Sequence, residues 1–150
     1  MSFKPVTDNI KSTLAADTAL AAWLAVKFPG KVLKVVKAFK RRQEINVSDL
    51  PVIMITSPRR VKSEGPLGGR RYDSTVMLYA GFHYDGDREN APGMVEEFES
   101  LIEDAILKDR RRGATAVLTE FEDVANDEGA SHPIYFSVLQ FSILTERPKP

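Results

Sequence analysis

The chain has 150 residues, 43% of them hydrophobic and 28% charged. That fits one domain over residues 1–150, able to bury roughly two thirds of its unfolded surface. The absence of cysteine excludes disulfides, thiol catalysis and cysteine-based zinc sites. A formal net charge of zero argues against a generic nucleic-acid binder. The opening MSFKPVTDN lacks the apolar stretch of a signal peptide, and no later run is long enough to span a bilayer. The expectation is a protein with no membrane partner, made and kept inside a cell or packed into a particle assembled there.

In chain order, Ile10 and Leu14 at i, i+4 spacing predict a helix over 7–16. Asp17 reads as the N-cap of a second short helix carrying Leu20, Trp23, Leu24 and Phe28, which Pro29-Gly30 ends. The valines of KVLKVVKAF predict a strand over 32–37, and 40–49 is polar and reads as loop. PVIMIT is a short strand apolar on both faces, so both faces should be covered.

SPRRVKSEGPLGGRRYD then reads as a long mobile connection to the next strand. In that strand Val76, Leu78, Ala80, Phe82 and Tyr84 share one face, while Thr75, Met77, Tyr79 and His83 share the other. DGDRENAP is a turn, and Pro92 suits the first turn of a helix over 92–109. Met94, Val95, Phe98, Leu101, Ile102, Ala105 and Ile106 form its apolar stripe. Glu96, Glu97, Glu99, Glu103 and Asp104 lie largely outside it. RRRG stops the helix, with cations at its negative end. AVLTEFEDV and IYFSVLQFSIL are the last two strands. The fold class is α+β: a mostly antiparallel sheet of four to five strands with helices packed on one face. Strands of this length exceed what a small sheet needs and suit contact with a neighbouring subunit.

Charge is distributed unevenly. Residues 31–71 hold 11 basic and 3 acidic side chains, whereas residues 85–128 hold 14 acidic and 5 basic. Two oppositely biased solvated faces would explain this, and so would self-complementarity between the basic side of one copy and the acidic side of the next.

Motifs that resemble chemistry have simpler explanations. KSEGPLGGRRY lacks the Lys-Ser/Thr of a phosphate-binding loop, and no helix follows it. Its glycines suit a flexible arc, and Arg59, Arg60, Lys62, Arg70 and Arg71 could touch phosphates passively. Asp85, Asp87, Glu89 and Glu96 fall in a calcium-loop frame whose sixth position, Asn90, lacks the required glycine. His83 and His132 have no ligand or triad spacing, and Ser131-His132-Pro133 is a loop. Glu120, Glu122 and Asp123 could pair as acid and base but read more simply as an exposed strand end. Lys40-Arg41-Arg42 and Arg110-Arg111-Arg112 read as solvated basic patches. The expectation is no enzyme, no metal and no cofactor.

The segments IKSTLAADTALAAWLAVKF, LPVIMITSP, MVEEFESLIEDAILKD and IYFSVLQFSILTE together resemble a bacteriophage minor tail protein of the tail terminator, or tail-completion, family. The resemblance spans nearly the whole chain and rests on element order and hydrophobic pattern. It implies a virion tail protein, assembled in the bacterial cytoplasm as a ring, usually a hexamer, that stops tail-tube polymerisation. Its partners would then be other copies of itself, the tail tube protein and the head-side connector, with passive contact to exiting DNA. Under that reading Arg59, Arg60, Lys62, Arg70 and Arg71 line the lumen or an interface, and the five acids of the 92–109 helix meet a neighbouring subunit. Another neck or head-completion protein and a small nucleic-acid-binding domain remain the alternatives.

Overall fold

The computed structural model describes residues 3–64 and 69–147. Two helices open the fold, α1 (Lys4–Ala16) and α2 (Thr18–Lys27), followed by a short strand β1 (Lys34–Val36). The long strands β2 (Val52–Glu64) and β3 (Arg70–His83) precede helix α3 (Ala91–Leu107). Strands β4 (Leu118–Asn126) and β5 (Ile134–Arg147) complete it. One sheet holds all five strands in the order β1-β2-β3-β5-β4. Among the described residues the β1–β2 pairing is parallel and the other three are antiparallel.

Alternation along the strands sorts their side chains onto two faces. Ile53, Ile55, Val76, Leu78, Ala80, Phe82, Leu139, Phe141 and Ile143 point into one core with Val6, Ile10 and Leu14 of α1 and Leu20 and Leu24 of α2. The stripe of α3, with Met94, Val95, Phe98, Ile102, Ala105 and Ile106, closes the same core. The helices therefore cover one face of the sheet. Asp17 caps α2 as its side-chain type predicts, accepting from the Leu20 backbone N–H at 2.9 Å.

Among the described residues the opposite face is covered at one end only. There Val52, Met54 and Ile134 pack with Ile45 and Leu50 from the polar connection, against Val36, Tyr79 and Phe136. This explains why PVIMIT is apolar on both sides. That connection is not plain loop, since it contains two single turns of 3-10 helix, Arg42–Glu44 and Val47–Asp49. Gly81 lies opposite Phe136 in the β3–β5 register, and the ring covers it so closely that a Cβ would sit 2.5 Å from Phe136 Cε1.

The segment expected to be a long connection is folded. β2 continues through Arg59, Arg60 and Lys62 to Glu64, and β3 begins at Arg70. A bulge between Thr56 and Arg59 shifts the register, after which pairing continues to Glu64 opposite Arg70. The bulge places a residue pair without partners around Pro58, which lacks a ladder donor, and pairing resumes beyond it. Of the expected mobile arc, residues 65–68 lie outside the described residues. The helix expected over 92–109 runs over Ala91–Leu107, and the first helix begins at Lys4, three residues earlier than expected.

Arg112 departs furthest from expectation. It is fully buried, not part of a solvated patch. Its backbone turns left-handed at φ 50°, and its guanidinium donates to the carbonyls of Ile106 and Asp109 at the end of α3. The helix stops at Leu107, before the arginine run and with no basic residue in its last turn, and of the three arginines Arg112 is the one that reaches back to its terminal carbonyls, from inside the protein.

Candidate assembly surface

A strand alternates its side chains, so the basic residues of the β2–β3 hairpin cannot act as one patch. Arg60 and Lys62 lie opposite Ser74 and Tyr72, on the helix side, while Arg59 lies opposite Thr75 on the other. The Arg60 guanidinium sits over the ring of Phe3, 4.8 Å from its centroid. Arg71 is on the outer face opposite Glu146, and the two pair at 3.5 Å. The structure thus brings the five predicted cations to one end of the sheet and divides them between its faces. Arg60 and Arg71 are engaged within the chain. Arg59 and Lys62 are exposed and form no ion pair among the described residues.

Beyond the apolar cluster the outer face is mostly polar, with exposed Val61 among its side chains, and no element among the described residues covers it. Arg59, Asp73, Thr75, Glu122, Gln140 and Ser142 line a shallow hollow of about 310 Å³ in it. Ser142 donates to Asp73 across β3 and β5 at 2.5 Å. Arg59 of β2 and Glu122 of β4 line this one hollow although two strands separate them.

The five acids of α3 also divide. Glu97 accepts from the Trp23 indole N–H at 2.6 Å, and Glu99 accepts from the Ser137 hydroxyl at 2.6 Å. These two hold α3 to α2 and to β5. Glu96 borders a cavity of about 250 Å³ near the start of α3, together with Arg88, Asp127 and Glu128. Asp104 is exposed and Glu103 half-buried. All five sit on the helix layer, not on the sheet edge that the basic hairpin occupies.

The other motifs have local roles. Asp87 accepts from the Glu89 backbone N–H at 3.0 Å, which closes the turn before α3. His132 Nδ1 lies 2.5 Å from the Tyr135 hydroxyl. Among the described residues no group of three or more His, Asp or Glu is placed to hold a metal ion, and no helix is long and apolar enough to cross a membrane.

Sequence reasoning set Glu120, Glu122 and Asp123 aside as an exposed strand end. The sheet order gives them a different significance, because β4 is a terminal strand. They form an acidic edge facing away from the basic edge of β2. The signal in the sequence was the close spacing of three acids on one strand, but which strand would lie at the edge was not readable.

Most of the chain shares its fold with a chain of a solved virion structure. A solved structure described as the virion of a native gene transfer agent particle contains a chain that matches over 93% of this chain and 93% of its own, with a TM-score of 0.54. Identity is 14%, so the likeness is one of fold. No protein-family model matches the chain, and no curated protein does.

Proposed function

We propose that this protein is a structural component of a phage-type virion that acts as a tail terminator, forming a ring on the tail tube and joining it to the head-side connector. The observation that carries the reading is the end-to-end fold match to a chain of a gene transfer agent virion, a phage-like particle. The surface supports a role in assembly: a long hairpin with exposed cations, a mostly polar sheet face and oppositely charged edges. In this reading the protein acts by contact alone, without turnover, metal or cofactor. Its partners are further copies of itself, as a hexamer, the tail tube protein and the connector. Arg59, Lys62 and Arg70 are the residues left to meet a partner or passing DNA, since Arg60 and Arg71 are held by Phe3 and Glu146. On α3, Glu96, Glu103 and Asp104 are the acids left for a neighbour.

Native mass spectrometry and sedimentation across concentration and salt test this. The expected result is a discrete ring of fixed subunit number that caps tail-tube protein and halts its polymerisation. A chain that stays monomeric at every concentration and salt, and never binds tube protein, would defeat the reading. Steep salt-dependent binding to DNA by the monomer would favour a nucleic-acid-binding domain instead.

A further inference from the structure

We propose that copies of this chain join edge to edge, the β4 edge of one copy pairing antiparallel with the β2 edge of the next, with Glu120 set opposite Arg59. This rests on the ring reading above and names its interface. β4 ends the sheet, so its outer backbone groups have no strand partner among the described residues. On the other side, β1 pairs with Val52, Ile53 and Met54, and the edge of β2 from Ile55 to Glu64 has no strand partner among the described residues. A sheet with two open edges is a template for addition unless the edges repel one another. Here they carry opposite charge: Arg59 and Lys62 on β2, Glu120, Glu122 and Asp123 on β4.

The register supports the pairing in detail. Arg59 lies opposite Thr75, Thr75 opposite Ser142, and Ser142 opposite Glu120. Thr56, Met77, Gln140 and Asp123 form the next row of the same kind. Arg59 and Glu120 therefore stand at one height on opposite edges and on the same face. Three strand spacings separate them, roughly 14 Å, too far to pair within one chain. The bulge of β2 between Thr56 and Arg59 and that of β4 between Phe121 and Asp123 also fall at one level.

Direction follows from topology. β2, β3, β5 and β4 alternate in direction, so β4 runs antiparallel to β2. A rotation about an axis parallel to the strands preserves height and direction. It sets the next copy's β2 antiparallel beside β4, with its Arg59 level with Glu120. Side chains directly opposite in an antiparallel pair are about 5 Å apart at Cβ, within reach of an ion pair. Such a head-to-tail contact closes into a ring when the rotation permits.

The test is charge reversal on the intact chain, read by native mass spectrometry and sedimentation, with circular dichroism to confirm folding. Both positions are exposed, so the monomer should fold in every variant. Arg59→Glu alone and Glu120→Arg alone should each raise the concentration needed for assembly about tenfold. The double variant, Arg59→Glu with Glu120→Arg, should restore it. Oligomers unchanged by both single reversals would overturn the edge pairing while leaving the ring intact. Loss in the singles without rescue in the double would overturn the Arg59–Glu120 register. A wild-type chain that never assembles would overturn the pairing and the ring together.

Discussion

The indole of Trp23 stacks on the ring of Phe98, with centroids 5.4 Å apart and planes 12° from parallel. Phe98 also meets Phe82 of β3 edge-on at 5.9 Å, so one ring joins α2, α3 and the sheet. Phe98→Ala should therefore cost about 3–5 kcal/mol, as for other buried aromatics. Urea denaturation followed by the fluorescence of Trp23, the single tryptophan, measures this directly. A variant that unfolds at the parent's midpoint would show that the helix layer is not held through this ring.

Arg112 holds the end of α3 from within the protein, and burial lowers its pKa while Asp109 nearby opposes that shift. Arg112→Met keeps much of the packing but removes the donors to the Ile106 and Asp109 carbonyls. The expected loss is about 1–3 kcal/mol, the cost of leaving buried polar groups unpaired. A thermal melt of this variant equal to or above the parent's would mean that desolvation of the guanidinium cancels its bonds.

Gly81 should not tolerate a side chain while Phe136 covers it. Gly81→Ala should destabilise by about 1–3 kcal/mol, because the ring must move from its place over β3. The same change in a Phe136→Ala background should cost less, which is a measurable coupling between the two positions. Equal costs in both backgrounds would place the strain elsewhere.

Acid should loosen the attachment of α1. Hydrogen bonds from Lys37 and then Lys4 lower the Asp8 pKa from its ordinary 3.8 to about 2. A carboxylate whose pKa falls on folding stabilises above its unfolded value, and that contribution is lost as pH drops through the folded one. Asp17 is lowered too: burial opposes this, but the Leu20 N–H and Lys108 outweigh it. Melting temperature should decline between about pH 4 and about pH 2, and Asp8→Asn should flatten part of that decline. A profile identical in wild type and Asp8→Asn would exclude the Lys37 and Lys4 contacts as its source.

Much of the fold was legible because periodicity is a local property. The even-numbered face from Val76 to Phe82, the stripe from Met94 to Ile106 and the Asp17 cap each follow from residues within a few positions of one another. Apolar residues on both faces of PVIMIT correctly required cover on both sides, though not the identity of Ile45 and Leu50 as that cover. The sequence also determined that charge is split between two halves of the chain. Glycine and arginine content, in contrast, misled at KSEGPLGGRRY. Composition there favours a loop, but cross-strand pairing with a β3 that is itself paired to β5 along its full length extends β2 to Glu64.

Only the tertiary structure decided which charges can act together. Strand alternation sends Arg59 and Arg60 to opposite faces, and long-range pairing engages Arg71, Glu97 and Glu99 within the chain. The sheet order makes β4 an edge and places Glu120 level with Arg59, 61 positions away in sequence. No local pattern encodes that height, because it is the accumulated register of three strand pairings, each set by burial on the helix side of the sheet.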